Sequence, residues 1–577
     1  MITSKLKLTG GHAFAEMLRL HNAAPIFGMA GFQLLPFYEA VRKLGLKHTL
    51  INHECCGVFA ADAWARLTGR PGICDATLGP GATNLVTGLV ESLNAGVPLI
   101  VIVGNSNRDH SWKNMTQEAR QTDILTPAVK SLIRVEQGLR IPELVRRAYT
   151  IATSGRPGPV VLDVPEDVMH NTFEYSSDDF FIDSGTIEIP ARRSRPGRKE
   201  LARALDLLRD AERPIILVGG GVHLSGAYKE LQQLSESFLI PVAYTFSGKG
   251  AMPDVHPLSV GLFGRWSRIA NDLIEKSDCI LSVGCKMGEV ATKRYSLMPK
   301  GVPFIHLDIV SEEIGRTTDV DVALWCDAAE GLDDLYVGLV EEGETIQKRR
   351  TSYIDEVKQR MVAWQAEAEP RYESDEQPIS MARLIRELQI AMPSDGILVA
   401  DGGFASHWTG LLYDTTRAGR TYIADRGFAS IGYGLPGAIG AQLASPGVPV
   451  IGITGDGGFN AVLGELETAK RMSLGFTLVV VNNAASGYIK ALQHSMYDGH
   501  YQSSDLCEIN YADVARVIGC DGIRVTDPAQ LGAALVRGME TTDRPTIVDV
   551  IVTRDPAKML PGIDARLMQV KAGDRPA

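Results

Sequence analysis

Asp456 and Asn483 offer the carboxylate and amide oxygens that an octahedral divalent cation takes, and Gly455, Gly457 and Gly458 crowd nothing around the first of them. The segment GDGGFNAVLGELETAKRMSLGFTLVVVNN follows a β-branched apolar run at 448–454 and ends on a second apolar run at 476–481. Between the two, Val462, Leu463, Leu466 and Ala469 recur at helical spacing. The pattern predicts strand, helix, strand. Such a crossover is almost always right-handed and makes its strands parallel, so Asp456 and Asn483 should share one crevice beyond the carboxyl ends of neighbouring strands. Backbone N–H groups of Gly457 and Gly458 at the helix start suit a phosphate, and the expected ligand is a magnesium diphosphate. Far upstream, Glu54 ends an apolar run and begins a helix among small and apolar neighbours. A poorly solvated carboxyl there either caps the helix or does proton chemistry.

The elements that must position these residues repeat along the chain. At 577 residues and 45% hydrophobic, there is room for several cores, and the expected class is α/β with three doubly wound parallel-sheet domains. The first, 1–185, has strand-like runs at 24–29, 48–52, 73–77, 99–104 and 160–164, with helical patterns at 11–20 and 57–66. A Pro/Gly-punctuated stretch, 173–198, reads as a linker, and its basic group at 192–199 as a solvated part of it. The middle domain, 195–350, opens on a strand running into the glycine turn 219–221, with further strands at 279–283 and 304–309. A charged helical stretch, 327–366, leads to the third domain, 375–560, and the tail 554–577 should fray.

A net charge of -11, with no cluster of Lys and Arg among aromatics, argues against nucleic acid as a partner. The longest apolar runs, such as 97–103, are strand-length, and the first residues lack an apolar signal segment; the expectation is a cytoplasmic chain with no membrane association. The eight cysteines show no C-x-x-C and no zinc spacing, so they should be mostly buried thiols. Cys55 and Cys56 beside Glu54 are either two small core side chains or part of the site.

GDG followed by NN after a second strand resembles the cofactor motif of thiamine-diphosphate enzymes. His53-Glu54, the run from Ala65 through Thr68-Gly69-Arg70-Pro71-Gly72, and Gly79-Pro80-Gly81-Ala82-Thr83-Asn84 resemble the pyrimidine-binding domain of their acetohydroxyacid (acetolactate) synthase branch. The likeness covers nearly the whole chain in family order. It implies thiamine diphosphate and Mg²⁺, the metal held by Asp456, Asn483 and the backbone oxygen of Ala485. It makes Glu54 the catalytic residue, hydrogen-bonded to N1′ of the aminopyrimidine and promoting the tautomer whose 4′ nitrogen takes the proton from thiazolium C2. Further implied cofactor contacts are Asn84, the loop residues Gly403, Phe404, Ala405 and Ser406, then Ala429 and Ile431, and finally Ser486, Gly487 and Tyr488. Ile431 stands where the family has a large aliphatic wedge that folds the cofactor into a V, bringing the 4′ nitrogen to C2. His407 is a base or, beside Trp408, a packed structural ring.

On the substrate side, Gln117-Glu118 resembles the family's Phe-Gln-Glu segment, with Thr116 in place of the phenylalanine, which gives Gln117 a catalytic and substrate-facing role. Ala30, Gly31 and Phe32 resemble the loop facing the donor substrate, with Ala30 and Phe32 replacing a proline and a glycine, so a reshaped pocket is expected. Leu492 replaces the tryptophan that selects the second 2-oxo acid, and Val290 an arginine that helps with its carboxylate. The implied acceptor is therefore not that of branched-chain amino-acid synthesis. Middle domains of this family carry FAD, ADP or nothing; the FAD-type GxRFDDR segment reads GCKMGEV at 284–290, and all three states stay open.

The resemblance thus implies a carboligase or lyase that decarboxylates a 2-oxo acid such as pyruvate and joins the acyl unit to an aldehyde or ketone. The alternatives are hydrolysis of a C–C bond in a diketone, an FAD-dependent oxidase of the pyruvate-oxidase type, and a non-catalytic relative. Because one subunit of the family supplies the glutamate and another the diphosphate loop, it also implies a homodimer or homotetramer with active sites at the subunit interface.

Overall fold

Strands such as LIVIVGN, every residue of it buried, have no polar face to turn to solvent, which suits a parallel sheet covered by helices on both sides. A computed structural model, describing residues 5–23 and 25–562, contains three such sheets of six strands each. The first is built from β1 (Ile26–Gly28), β2 (His48–Leu50), β3 (Gly72–Ala76), β4 (Leu99–Asn105), β5 (Ser131–Arg134) and β6 (Pro159–Pro165), in the order β2-β1-β3-β4-β6-β5, all parallel.

The middle sheet holds β7 (Pro214–Val218), β8 (Val242–Tyr244), β9 (Ser259–Leu262), β10 (Cys279–Val283), β11 (Phe304–Asp308) and β12 (Val322–Trp325), ordered β9-β8-β7-β10-β11-β12. That is the dinucleotide-binding order, whose crevice opens between β7 and β10. The third sheet, β13 (Ile397–Ala400), β14 (Tyr422–Ala424), β15 (Val450–Gly455), β16 (Thr477–Asn482), β17 (Asp521–Val525) and β18 (Thr546–Ile551), is ordered β14-β13-β15-β16-β18-β17. It repeats the first sheet strand for strand, so both place a crevice at the carboxyl ends of their first and third strands.

Six helices position the site: α1 (Glu54–Thr68), α2 (Val86–Ala95), α3 (Phe404–Leu412), α4 (Gly434–Ala444), α5 (Asp456–Val462) and α6 (Gly487–Met496). First and third domains meet where α1 crosses α4 with backbones touching: a Cβ on Gly440 would lie 2.0 Å from the Ala60 carbonyl oxygen.

Some sequence expectations change. Within the supposed linker, Thr172–Ser176 is a strand pairing antiparallel with Lys5–Thr9. Its basic group is exposed, as expected, and is also ion-paired, Arg193 with Asp327 and Arg195 with Glu330 and Asp334, on the later helix Ala328–Leu339 and its cap. The charged stretch is two helices, Ala328–Leu339 and Gly343–Tyr372. The tail's beginning is packed, with Met559 buried and its carbonyl accepting the Trp408 indole N–H at 2.9 Å. Residues 1–4 and 563–577, which include the rest of the expected fraying tail, and Ala24 of the expected first strand lie outside the described residues. Among the described residues no helix is long and apolar enough to cross a membrane.

Candidate active site

Parallel pairing of β15 with β16 puts Asp456 and Asn483 just past neighbouring strand ends. Asp456 is buried and its Oδ1 accepts the Gly457 N–H at 2.8 Å, while Oδ2 is buried without a hydrogen-bond partner. Burial pushes its carboxyl up to about 6, against the backbone N–H groups of Gly457 and 483–485, which favour the anion. The Asn483 amide oxygen accepts the Ala485 N–H at 3.1 Å, which fixes that loop. A returning segment braces it, with Ser486 N–H on Ser504 O and Leu506 N–H on Ala484 O, each 2.8 Å.

At the helix start, a Cβ on Gly487 would lie 2.6 Å from Asn483 Nδ2 and 3.2 Å from the Phe404 ring, so the 403–406 and 483–488 loops meet there. Ser486 is exposed and Tyr488 half-buried at the start of α6. Beside them Gly455 is open, with nothing within 4 Å of where its Cβ would be, and Gly457 faces only Leu506. A buried carboxylate oxygen lacking a donor, next to an amide oxygen, fits a hard divalent cation. No group of three or more His, Cys, Asp or Glu side chains among the described residues could hold one, so backbone oxygens, water or a phosphate must complete the shell.

Asp401, at the end of β13, ties the surrounding loops together. Its Oδ1 accepts N–H groups of Gly402 at 2.7 Å, Gly432 at 2.9 Å and Tyr433 at 3.0 Å, and its Oδ2 accepts the Thr454 hydroxyl. Burial raises its pKa, and these donors oppose the rise. Gly402 allows the contact, since its Cβ would stand 2.5 Å from Ser430 O, and Gly403 takes φ +67. Ala405 and Gly458 are buried behind this loop. The result is a cradle of backbone N–H groups from which Ile431, 59% exposed, projects beyond a left-handed Ala429. Ser406 Oγ accepts from Arg426 Nη1 at 3.1 Å. The ring of His407 packs among those of Phe246, Trp266 and Tyr488.

In the first domain His53 is the helix cap, its Nδ1 accepting the Cys55 N–H, so Glu54 is left to other work. The Glu54 carboxylate is 6% exposed; Oε2 accepts the Asn84 amide at 2.9 Å, and Oε1 is 3.2 Å from where Gly81 would carry a Cβ. The Gln117 carbonyl, at φ +65, presses on Gly79, which brings the 106–120 loop over the same turn, with the Gln117 side chain exposed. Gly31 lies against Thr77, and Ala30 and Phe32 are exposed on that edge. Burial pushes the Cys55 thiol up to about 12 and Cys56 higher, so neither is a thiolate at neutral pH. No hydrogen bond among the described residues joins Glu54 to the cradle of the third domain. Instead Glu465 Oε1 accepts the N–H groups of Asn52 and His53, both at 2.9 Å.

Two features escaped the sequence. Arg265 donates its backbone N–H to Val290 O at 2.8 Å, and its guanidinium lies between Glu289, at 3.2 Å, and the Tyr488 hydroxyl, at 3.4 Å. A cation thus stands beside the very position where residue 290 lacks one. Asp401 was the second, legible only as one more aspartate in a glycine turn. In the middle domain, a cavity of about 310 Å³ opens at the β7/β10 crevice, bounded by glycines 219–221, Gly284, Asp308 and Arg156 and reaching Val290 and Gly427.

Three parallel-sheet domains, with a phosphate-type cradle in the third and a buried acid in the first, are the architecture of a cofactor-dependent enzyme. Residues 8–124 match the thiamine pyrophosphate enzyme N-terminal TPP binding domain, 201–335 its central domain and 401–550 its C-terminal TPP binding domain. The chain belongs to the thiamine-diphosphate enzyme family, on its acetolactate synthase-like branch. It is 33% identical to the acetolactate synthase large subunit of Parasynechococcus marenigrum, over 95% of this chain and 88% of that one. A probable acetolactate synthase large subunit of Methanocaldococcus jannaschii is 31% identical over 96% of this chain and 93% of its own length. For the Corynebacterium glutamicum large subunit the identity is 30% over 97% and 89%.

Proposed function

We propose that the chain is a Mg²⁺- and thiamine-diphosphate-dependent carboligase that decarboxylates a 2-oxo acid such as pyruvate and joins the acyl unit to a ketone or aldehyde. The observation that carries this reading is the donorless buried oxygen of Asp456 beside Asn483, ringed by glycine loops. Asp456, Asn483 and the Ala485 carbonyl would hold the metal, and the N–H groups of 403–406, 457–458 and 487–488 the diphosphate. When bound, the cofactor supplies an electron sink for the carbon that loses CO₂.

The residues do the rest. Glu54, poorly solvated and held by Asn84, gives and takes a proton at the aminopyrimidine nitrogen. Ile431 fixes the angle between the two rings, and Gln117 with 30–32 bounds the donor pocket. Among the described residues no hydrogen bond joins Glu54 to its own chain's cradle, and Phe32, Phe428 and Ile431 are exposed apolar side chains, which supports a homodimer or homotetramer that completes each site with two chains.

The test is to supply pyruvate with a panel of ketones and aldehydes, with and without thiamine diphosphate and Mg²⁺, and to measure CO₂ and ligated product. Cofactor-dependent CO₂ release with a new C–C bond is expected; none with any donor would sink the reading. The apolar pair Val290 and Leu492 favours a second reading, hydrolysis of a neutral diketone, which would show as free acid without CO₂. The β7/β10 crevice is shaped for a dinucleotide, and a flavin spectrum in the purified protein would move the assignment to an FAD-dependent oxidase.

A further inference from the structure

The segment carrying Ile431 is gripped at both ends by buried carboxylates from different domains. Asp401 takes its downstream end, at Gly432 and Tyr433. The upstream end is held by Glu91, a first-domain residue on α2 with no exposed surface. Its Oε1 accepts the Gly427 N–H at 2.8 Å, and its Oε2 accepts those of Phe428 and, at 3.3 Å, Ala429. The fit excludes any side chain at 427, where a Cβ would stand 2.8 Å from Glu91 Oε1 and 2.3 Å from its carbonyl oxygen.

Glu91 is itself fixed from α1. Arg66 Nη2 donates to Oε1 at 3.0 Å, and the same guanidinium pairs with Asp62, whose Oδ1 accepts the Tyr433 hydroxyl at 2.7 Å. Asp425 is buried beside it; burial and the Glu91 charge push that carboxyl far up, leaving a proton to share with Glu91. Only 430 and 431 lie between the two grips, and of these Ile431 is exposed while the Ser430 hydroxyl is buried. The helix that closes this circuit through Arg66 is the one that begins with Glu54.

We propose that Glu91 is the positioning residue of the cofactor wedge: by clamping 427–429 from the first domain it sets the height at which Ile431 meets the cofactor, and through Arg66 it makes that height depend on α1. The inference rests on the thiamine-diphosphate reading above. Glu91 has no exposed surface and spends its carboxylate on 427–429, so its effect should be on the geometry of the bound cofactor more than on its retention.

Backbone amide hydrogen exchange of 425–433 in the cofactor-free protein tests the clamp directly. Glu91→Ala should speed exchange at 427–429 by about tenfold or more, with Glu91→Asp restoring part of the protection. In protein loaded with thiamine diphosphate and Mg²⁺, the rate at which the bound cofactor's C2 proton exchanges with D₂O reads ring geometry without any substrate. That rate should fall about 10- to 100-fold in Glu91→Ala. Ile431→Ala should give the same loss, and the double variant should lose little more than either single one. Unchanged amide protection in a folded Glu91→Ala protein, or losses from Glu91→Ala and Ile431→Ala that multiply, overturns the proposal. If Glu91→Ala fails to fold, Glu91→Gln, which keeps one acceptor oxygen in the same volume, is read by the same two rates. Wild-type protein that binds no thiamine diphosphate brings down the functional reading alone, and amide exchange then decides the clamp.

Discussion

The Asn84 side-chain amide donates a 2.9 Å hydrogen bond to Glu54 Oε2, turning a buried carboxylate at a helix start toward the glycine turn at 79–81. His53 already caps the helix, so this acid is not needed there. Glu54→Gln keeps the shape and the Asn84 contact at one oxygen but cannot exchange a proton. Its kcat/KM for CO₂ release should drop by about 10²- to 10⁴-fold with an unchanged melting temperature. Asn84→Ala, which leaves the acid but not its orientation, should lose far less. Turnover close to wild type in a folded Glu54→Gln protein would remove Glu54 from the chemistry.

Asp456→Ala should abolish Mg²⁺-dependent binding of thiamine diphosphate, because it deletes the anionic ligand proposed for the metal, whose Oδ2 is buried without a hydrogen-bond partner. Calorimetric titration of the cofactor with and without Mg²⁺ makes the comparison. Since the site costs the fold a desolvated carboxylate, the same variant should melt no lower than wild type in the absence of metal. Full cofactor affinity in this variant would refute the metal assignment.

How much of this was legible beforehand follows from which interactions are local. The β-α-β unit around Asp456 was readable because apolar runs and helical spacing lie in one short stretch, and parallel pairing then dictates where Asp456 and Asn483 point. The short strand SLIR at β5 was missed, since each of its residues is only half-buried and its pattern is weak. Asp401, Glu91 and Arg265 were illegible for a different reason. Each acts on a segment tens or hundreds of residues away, and no spacing in the sequence records that Glu91 faces Phe428 or that Arg265 reaches Tyr488. The ion pairs of the linker's basic group were illegible for the same reason, because the partners of Arg193 and Arg195 lie on a later helix.

Asp308 gives a pH dependence with a defined sign. Burial raises its carboxyl from an ordinary 3.8 to about 6, against hydrogen bonds from the backbone N–H of Val310 and the nearby Arg156 charge. The folded state therefore holds this proton more tightly than the unfolded chain does. The stability so gained is complete below about 3.9 and is lost as pH rises through about 6. Ionisation at neutral pH costs on the order of 3 kcal/mol. Asp308→Asn keeps an acceptor for Val310 and has no charge to bury, so it should melt higher than wild type at pH 7.5 and level with it near pH 4. A melting difference that is flat from pH 4 to pH 7.5 would show that Asp308 titrates normally.

Residue 290 is apolar, yet the wall it belongs to is not without charge, because Arg265 hangs from the Val290 carbonyl and holds its guanidinium between Glu289 and the Tyr488 hydroxyl. Tyr488 opens α6 one residue after Gly487, at the edge of the loop proposed to hold the metal, so on the proposed function this cation borders the acceptor's space. Glu289 is 40% exposed in its side chain and can be displaced by an incoming carboxylate of the same charge. A 2-oxo acid acceptor would then find its counter-ion here, and a neutral ketone would not. Loss of a charge-assisted pair at a desolvated site is worth about 10- to 100-fold. Arg265→Ala should therefore raise KM for a carboxylate-bearing acceptor by that factor, with Arg265→Lys between it and wild type, while KM for a neutral ketone of the same size moves much less. Equal shifts for both acceptors would mean that Arg265 only packs the wall, and the neutral-diketone reading would gain by it.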